Sequence, residues 1–132
     1  MNLLILVVDD ERAIADSLAE IMRAAGYEGL ALYSAEQAVA VLATRTPALI
    51  ITDVIMPGMN GIELAIQART LCPQTRVLLV SGNAITQTLT EAARLEGYDF
   101  EVMAKPVPPR EMLAKVSDML NEARENGIAE AS

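Results

Sequence analysis

Five polar side chains stand where apolar runs of the chain come to an end. Asp9 and Asp10 follow Leu3–Val8, Asp53 follows Ala48–Thr52, Ser81 follows Val77–Val80, and Lys105 follows Phe100–Ala104 and precedes Pro106. Three carboxylates gathered within a few ångströms repel, raising one another's pKa unless a cation neutralises them. The chain has no histidine, so the ligands on offer are oxygens. That donor set favours a hard ion such as Mg²⁺, which keeps several waters and takes a few carboxylates together with phosphate oxygens. Lys105 is a compact positive charge suited to a phosphoryl oxygen, and Ser81 offers a donor that can rotate toward an anion. The corresponding chemistry is phosphoryl transfer, in which positioning and neutralisation of charge do most of the work.

The five groups meet only if the fold brings the strand ends together. Leu3–Val8, Leu30–Tyr33, Ala48–Asp53, Arg76–Val80 and Phe100–Ala104 read as strands, most of them continuous apolar runs as in a sheet buried on both faces. Helical spacing lies between them. Ile14, Leu18, Ile21, Met22 and Ala25 form one stripe, ended by Gly26. Ser34 with Gln37 matches a capping box opening a helix through Leu42. A third helix, about 61–71, carries Leu64, Ala68 and Leu71. A fourth, about 85–96, has a thin face of Ile85, Leu89 and Ala92. The last begins near Pro108 and Pro109 and carries Met112, Val116, Met119, Leu120 and Ala123. Alternation of five strands with five helices implies an α/β flavodoxin-like doubly wound sandwich, (βα)5, with a parallel sheet of order 2-1-3-4-5. In that order strands one, three, four and five are neighbours, and their carboxyl ends converge. Asp53 then stands on the central strand, between the acid pair and the Ser81–Lys105 side. An attacking carboxylate forms an aspartyl phosphate, and Asp53 is the candidate acceptor.

Composition narrows the alternatives. The 132 residues fit one domain, here 1–125, followed by a short tail or linker start at 126–132. The sole cysteine, Cys72, cannot form an intrachain disulfide, which suits a reducing, cytoplasmic setting. Beside Pro73 it reads as a small apolar residue near a helix end. The first apolar run stops after six residues at Asp9, so neither a secretory leader nor a membrane span is expected. A net charge of −8 argues against direct nucleic-acid binding by this chain.

Taken together, Val8-Asp9-Asp10-Glu11, Asp53 with Met56-Pro57-Gly58-Met59-Asn60-Gly61, Val80-Ser81-Gly82 and Lys105-Pro106 resemble the receiver domain of two-component response regulators, over about Leu3 to Ala123. Each motif alone is weak; all four in order are highly specific. The resemblance implies that Asp53 is phosphorylated by a histidine kinase or phosphotransfer protein. It implies Mg²⁺ held by Asp9, Asp10, Asp53 and the Ile55 carbonyl, phosphoryl contacts from Ser81 and Lys105, and a cis Lys105–Pro106 bond. Ile55 and Asn83 occupy positions that tune access of the hydrolytic water; Ile55 either shields the acyl phosphate or merely packs against its loop. Output would pass through the face of the fourth helix, fifth strand and fifth helix, to a downstream protein, an appended output domain or a second copy. Such a module turns over no external substrate, catalysing only its own phosphotransfer and dephosphorylation.

Two departures stand out. The position three residues before the lysine, usually aromatic, is Val102, with Phe100 five residues before it, and the 97–105 segment looks one residue long, enough for a bulge. Asn60 stands where Asp is commoner. Other classes remain as alternatives: an aspartyl-phosphate phosphohydrolase, disfavoured by Ile55 where a second acid would stand; a flavin- or nucleotide-binding fold, disfavoured by acids in place of a glycine-rich loop; and a phosphorylation-independent interaction module.

Overall fold

The structure, a computed structural model, describes residues 2–131, with side chains described through residue 122. Five strands, β1 (Leu4–Val8), β2 (Glu28–Leu32), β3 (Leu49–Asp53), β4 (Arg76–Ser81) and β5 (Glu101–Ala104), alternate with α1 (Arg12–Ala24), α2 (Ala35–Leu42), α3 (Gly61–Leu71), α4 (Ile85–Leu95) and α5 (Pro109–Ala131). All pairings are parallel, and the order is β2-β1-β3-β4-β5, as expected.

Residue parity sorts the strands into two core layers. Ile5, Val7, Ile51 and Val80 pack against Ala15, Ala19 and Met22 of α1 and Met112, Val116 and Met119 of α5. Leu4, Leu6, Val8 and Ile50 face Ala38 and Leu42 of α2 and Leu64 and Ala68 of α3. On that same side, Leu79 packs with Ile62, Ala65 and Ala93, the last from α4. Near-continuous burial of β1 and β3 explains why both read as unbroken apolar runs.

Several helix faces differ from expectation. The inward face of α1 is centred on Ala15, Ala19 and Met22, while Ile14 is exposed. α3 buries two flanks, Leu64 and Ala68 toward α2 and Ile62 and Ala65 toward α4, and Leu71 is left exposed. On α4 the expected Ile85–Leu89–Ala92 face is rotated: Thr86 and Ala93 are buried, Leu89 packs beside them, and Ile85 and Ala92 are exposed. Hydrophobicity alone misplaces this stripe because its first member is a threonine.

Local signals behave as their chemistry directs. Ser34 Oγ accepts from the Gln37 N–H at 3.1 Å, but the Gln37 side chain accepts from the N–H of Tyr33 rather than Ser34. Asn60 and Glu63 complete both halves of a capping box on α3. β5 pairs without a bulge, Leu78 with Glu101 through Ser81 with Ala104, so any extra residue is taken up before the strand, around the left-handed Gly97 (φ 96°). The backbone of α5 continues past Gly127, where the sequence suggests a tail; the Ala123 side chain lies outside the described ones. No helix among the described residues is long and apolar enough to cross a membrane.

Candidate functional site

The carboxyl ends of β1 and β3 carry Asp9 and Asp53 to adjacent places. Each carboxylate divides its two oxygens between two tasks. Asp9 Oδ1 accepts the Glu11 N–H at 2.9 Å, and Asp53 Oδ1 accepts the Val54 N–H at 2.8 Å. Their Oδ2 atoms both receive Lys105 Nζ, each at 3.3 Å. Backbone N–H groups thus fix the orientation of each acid, and Lys105 bridges the pair. Carboxylate oxygens of Asp9, Asp10 and Asp53 lie within 4.8 Å of one another, with Asp10 on the solvent side. All-oxygen donors around a shared opening fit a hard divalent cation.

Charge is imperfectly balanced. Burial pushes the Asp53 carboxyl above its ordinary value; Lys105 pulls it down, Asp9 pushes it up again, and the net direction is upward. For Lys105, burial alone would lower the pKa, but the fields of Asp53 and Asp9 outweigh it and the net direction is up. A carboxylate kept partly out of water against a second carboxylate is poorly stabilised and therefore basic.

Tight turns hold this edge together. Gly61 opens α3 directly behind Asp53: a Cβ there would lie 2.1 Å from the Asp53 carbonyl oxygen, so only glycine lets the helix start so close to the strand. The Gly61 N–H donates to the Val54 carbonyl at 2.8 Å. Glu36 of α2 accepts the Met59 N–H at 3.1 Å, tying the loop to the neighbouring helix. Ile55 sits in that loop and is 40 % exposed. The Lys105–Pro106 bond is cis, and the Lys105 N–H donates to the Ser81 carbonyl at 3.0 Å, clamping the tips of β4 and β5.

Ser81 behaves differently from the other candidates. Lying two residues beyond Leu79, it shares the side of the sheet that faces α4. Its Oγ accepts the Asn83 N–H at 3.1 Å and shares a hydrogen bond of 2.5 Å with Thr86 Oγ1. Among the described residues no hydrogen bond joins the Ser81 hydroxyl to Asp53 or Lys105. Asn83 Oδ1 in turn accepts the Ile85 N–H at 3.0 Å, occupying its carbonyl oxygen at the start of α4. Thr86 is a residue that motif reading passes over; its only trace in the sequence is a hydroxyl five positions beyond Ser81.

Neither Val102, at the usually aromatic position, nor Phe100 is joined to the acid cluster. Val102 pairs with Leu79 and is 43 % exposed. Phe100 precedes the strand, stacking on Tyr98 (centroids 6.1 Å apart) beneath the Arg69 guanidinium. On the opposite face a groove of about 490 Å³ opens beside Asp53 between α1 and α5, walled by Ile14, Leu18, Val80, Val107 and Met112.

Comparison with known proteins matches residues 5–117 to the response regulator receiver domain. The response regulator protein FleR of Pseudomonas aeruginosa is 36 % identical over 113 residues, which cover 86 % of this chain and 24 % of that protein. The phosphate regulon transcriptional regulatory protein PhoB of the same organism is 32 % identical, the match covering 88 % of this chain and 51 % of that one. The chain thus spans about half or less of these curated relatives. A CheY-like receiver domain protein from Methanospirillum hungatei superposes with a TM-score of 0.86 at 30 % identity, over 96 % of this chain and 99 % of its own. The chain belongs to the receiver domain family of two-component response regulators.

Proposed function

We propose that Asp53 accepts a phosphoryl group from a phosphohistidine and that the resulting charge redirects partner binding. The observation that carries this reading is the shared ammonium: Lys105 Nζ lies 3.3 Å from an oxygen of each of Asp9 and Asp53, with Asp10 completing the acid cluster. Asp53 Oδ1 is committed to a backbone N–H, which leaves Oδ2 as the nucleophile. It attacks phosphorus, the P–N bond to the donor imidazole breaks, and the electron pair leaves with the imidazole, which takes up a proton. Lys105 neutralises charge on the transferred oxygens. Asp9, Asp10, Asp53 and the Ile55 carbonyl would hold Mg²⁺, which supplies further neutralisation when bound.

The phosphoryl group adds roughly −1.5 to −2 charges and three acceptor oxygens at the tip of β3. Ser81 and Lys105 are the donors that answer it. Ile55 is exposed two residues beyond Asp53, and we assign it, with Asn83, to control of water access and hence phosphoryl lifetime. The donor is a histidine kinase or phosphotransfer protein, and the output face is α4–β5–α5, toward an appended domain, a separate protein or a second copy. Exposed Leu95 and Val102 on α4 and β5 supply apolar contact there. Incubation with Mg²⁺ and acetyl phosphate should add one phosphoryl group by mass, and Asp53→Ala should abolish it. Unchanged mass with several phosphodonors would overturn the reading. Multiple turnover on a phosphomonoester would favour a hydrolase instead.

A further inference from the structure

We infer that Thr86 is the positioning residue through which the site is coupled to α4: its hydroxyl latches Ser81 in the resting arrangement, and a phosphoryl group competes for that same Ser81 hydroxyl. This rests on the reading of Asp53 as phosphoacceptor.

Thr86 occupies the first turn of α4 and is 4 % exposed; Ser81, at the tip of β4, is 7 % exposed. Their hydroxyls are 2.5 Å apart and partner each other. The rest of α4 is held loosely. Its other buried side chain is Ala93, and the cap residue, Ala84, makes no side-chain cap hydrogen bond. An aromatic residue on β5 cannot fill this role, since Val102 is short and partly exposed and Phe100 is stacked at the far end of the strand.

Competition follows from the direction in which the Ser81 side chain points. Ser81 Oγ faces α4 and is joined to Thr86 and Asn83, not to the carboxylate cluster. To serve a phosphoryl oxygen on Asp53, the side chain must turn toward β3 and give up Thr86. A buried hydroxyl without a partner is unfavourable, and among the described residues no buried side-chain polar atom now lacks one. Thr86 must therefore find water or a new acceptor, and the first turn of α4 loses its side-chain tie to β4. The event at Asp53 reaches the α4 surface through loss of the Ser81–Thr86 hydrogen bond.

The test compares Thr86→Val, which keeps the shape and removes the hydroxyl, with Thr86→Ser, which keeps the hydroxyl. Affinity for beryllofluoride, a phosphoryl mimic, is measured with Mg²⁺ by titration followed in amide NMR spectra, after thermal melts establish folding. Releasing a hydrogen bond of ordinary net strength should tighten Thr86→Val by roughly 2- to 10-fold, with Thr86→Ser near wild type. In a Ser81→Ala background Thr86→Val should have no effect. Wild-type protein that binds no beryllofluoride would overturn the phosphoacceptor reading, and the latch with it. Normal wild-type binding overturns the latch alone if Thr86→Val leaves affinity unchanged or weakens it, if the serine variant behaves like the valine variant, or if the effect survives Ser81→Ala.

Discussion

Lys105→Met tests the balance of charge at the site most directly. Methionine keeps the unbranched stem and deletes the ammonium. Each Nζ–Oδ2 pair at 3.3 Å has a Coulomb energy of about 1.3 kcal/mol in bulk water and about 5 kcal/mol at an effective dielectric of about 20. The lysine side chain is 28 % exposed, which places the pairs between these limits, and its own burial offsets part of the gain. Removing one partner of a part-buried cluster leaves the carboxylates uncompensated, so the net loss should be about 2–3 kcal/mol. For a domain of this length that corresponds to a fall in Tm of roughly 7–11 °C. Thermal unfolding by circular dichroism, in EDTA and in millimolar Mg²⁺, gives the readout. The variant should melt lower in EDTA and gain more from Mg²⁺ than wild type, because a bound cation takes over the missing charge. Equal melting in EDTA, or an equal Mg²⁺ shift in the two proteins, would refute this account of the site.

Three further outcomes are expected. The Asp53 carboxyl has a raised pKa in the folded state, so the folded chain binds its proton more tightly and the ionised form costs stability above that pKa. Metal-free Asp53→Asn should therefore melt above wild type at neutral pH, with the gap closing as pH falls toward about 4; a pH-independent gap in melts from pH 4 to 8 would contradict it. Gly61→Ala forces a Cβ against the Asp53 carbonyl and should cost about 1–3 kcal/mol as overpacking, with slower acetyl-phosphate labelling, read by urea titration and mass. Ile14 is apolar, exposed and on the wall of the groove beside Asp53, where a donor protein reaching Asp53 would touch it. Ile14→Glu should slow transfer from a phosphohistidine donor protein by roughly tenfold, as for loss of one apolar interface contact, while labelling by acetyl phosphate is unchanged. Equal slowing of both would place Ile14 in the chemistry rather than in donor docking.

The sheet was legible because its physics is one-dimensional. Doubly buried parallel strands appear as apolar runs, and the residue closing each run falls at the carboxyl edge, so Asp9, Asp53 and Lys105 could be brought together from spacing alone. Helix faces were harder. Ile14, Leu71 and Ile85 are apolar yet exposed, and Thr86 is polar yet buried; a period-3.6 reading weighted by hydrophobicity ranks these four the wrong way round. The placing of Ser81 was half legible. Its position at a strand tip was visible, but the direction of its side chain depends on parity with Leu79 and on a hydroxyl partner one helix away. The reciprocal cap at Ser34 failed in its second half because glutamine reached one residue further back, to Tyr33. Side-chain reach of that kind is not a property of spacing.

The Glu36–Met59 hydrogen bond has a mechanical consequence. With the Asn60–Glu63 cap, it braces the loop behind Asp53 from the α2–α3 side, whereas the α4 side is secured near the site by Ser81 and Thr86. In the proposed switch the α2–α3 side would act as a fixed jaw and the α4 side as a sliding one. A phosphoryl group on Asp53, as proposed, would act on the α4 side through Ser81 and on β5 through Lys105. Damage to the fixed jaw should be felt as less folded protein, and damage to the sliding jaw as a changed threshold for response.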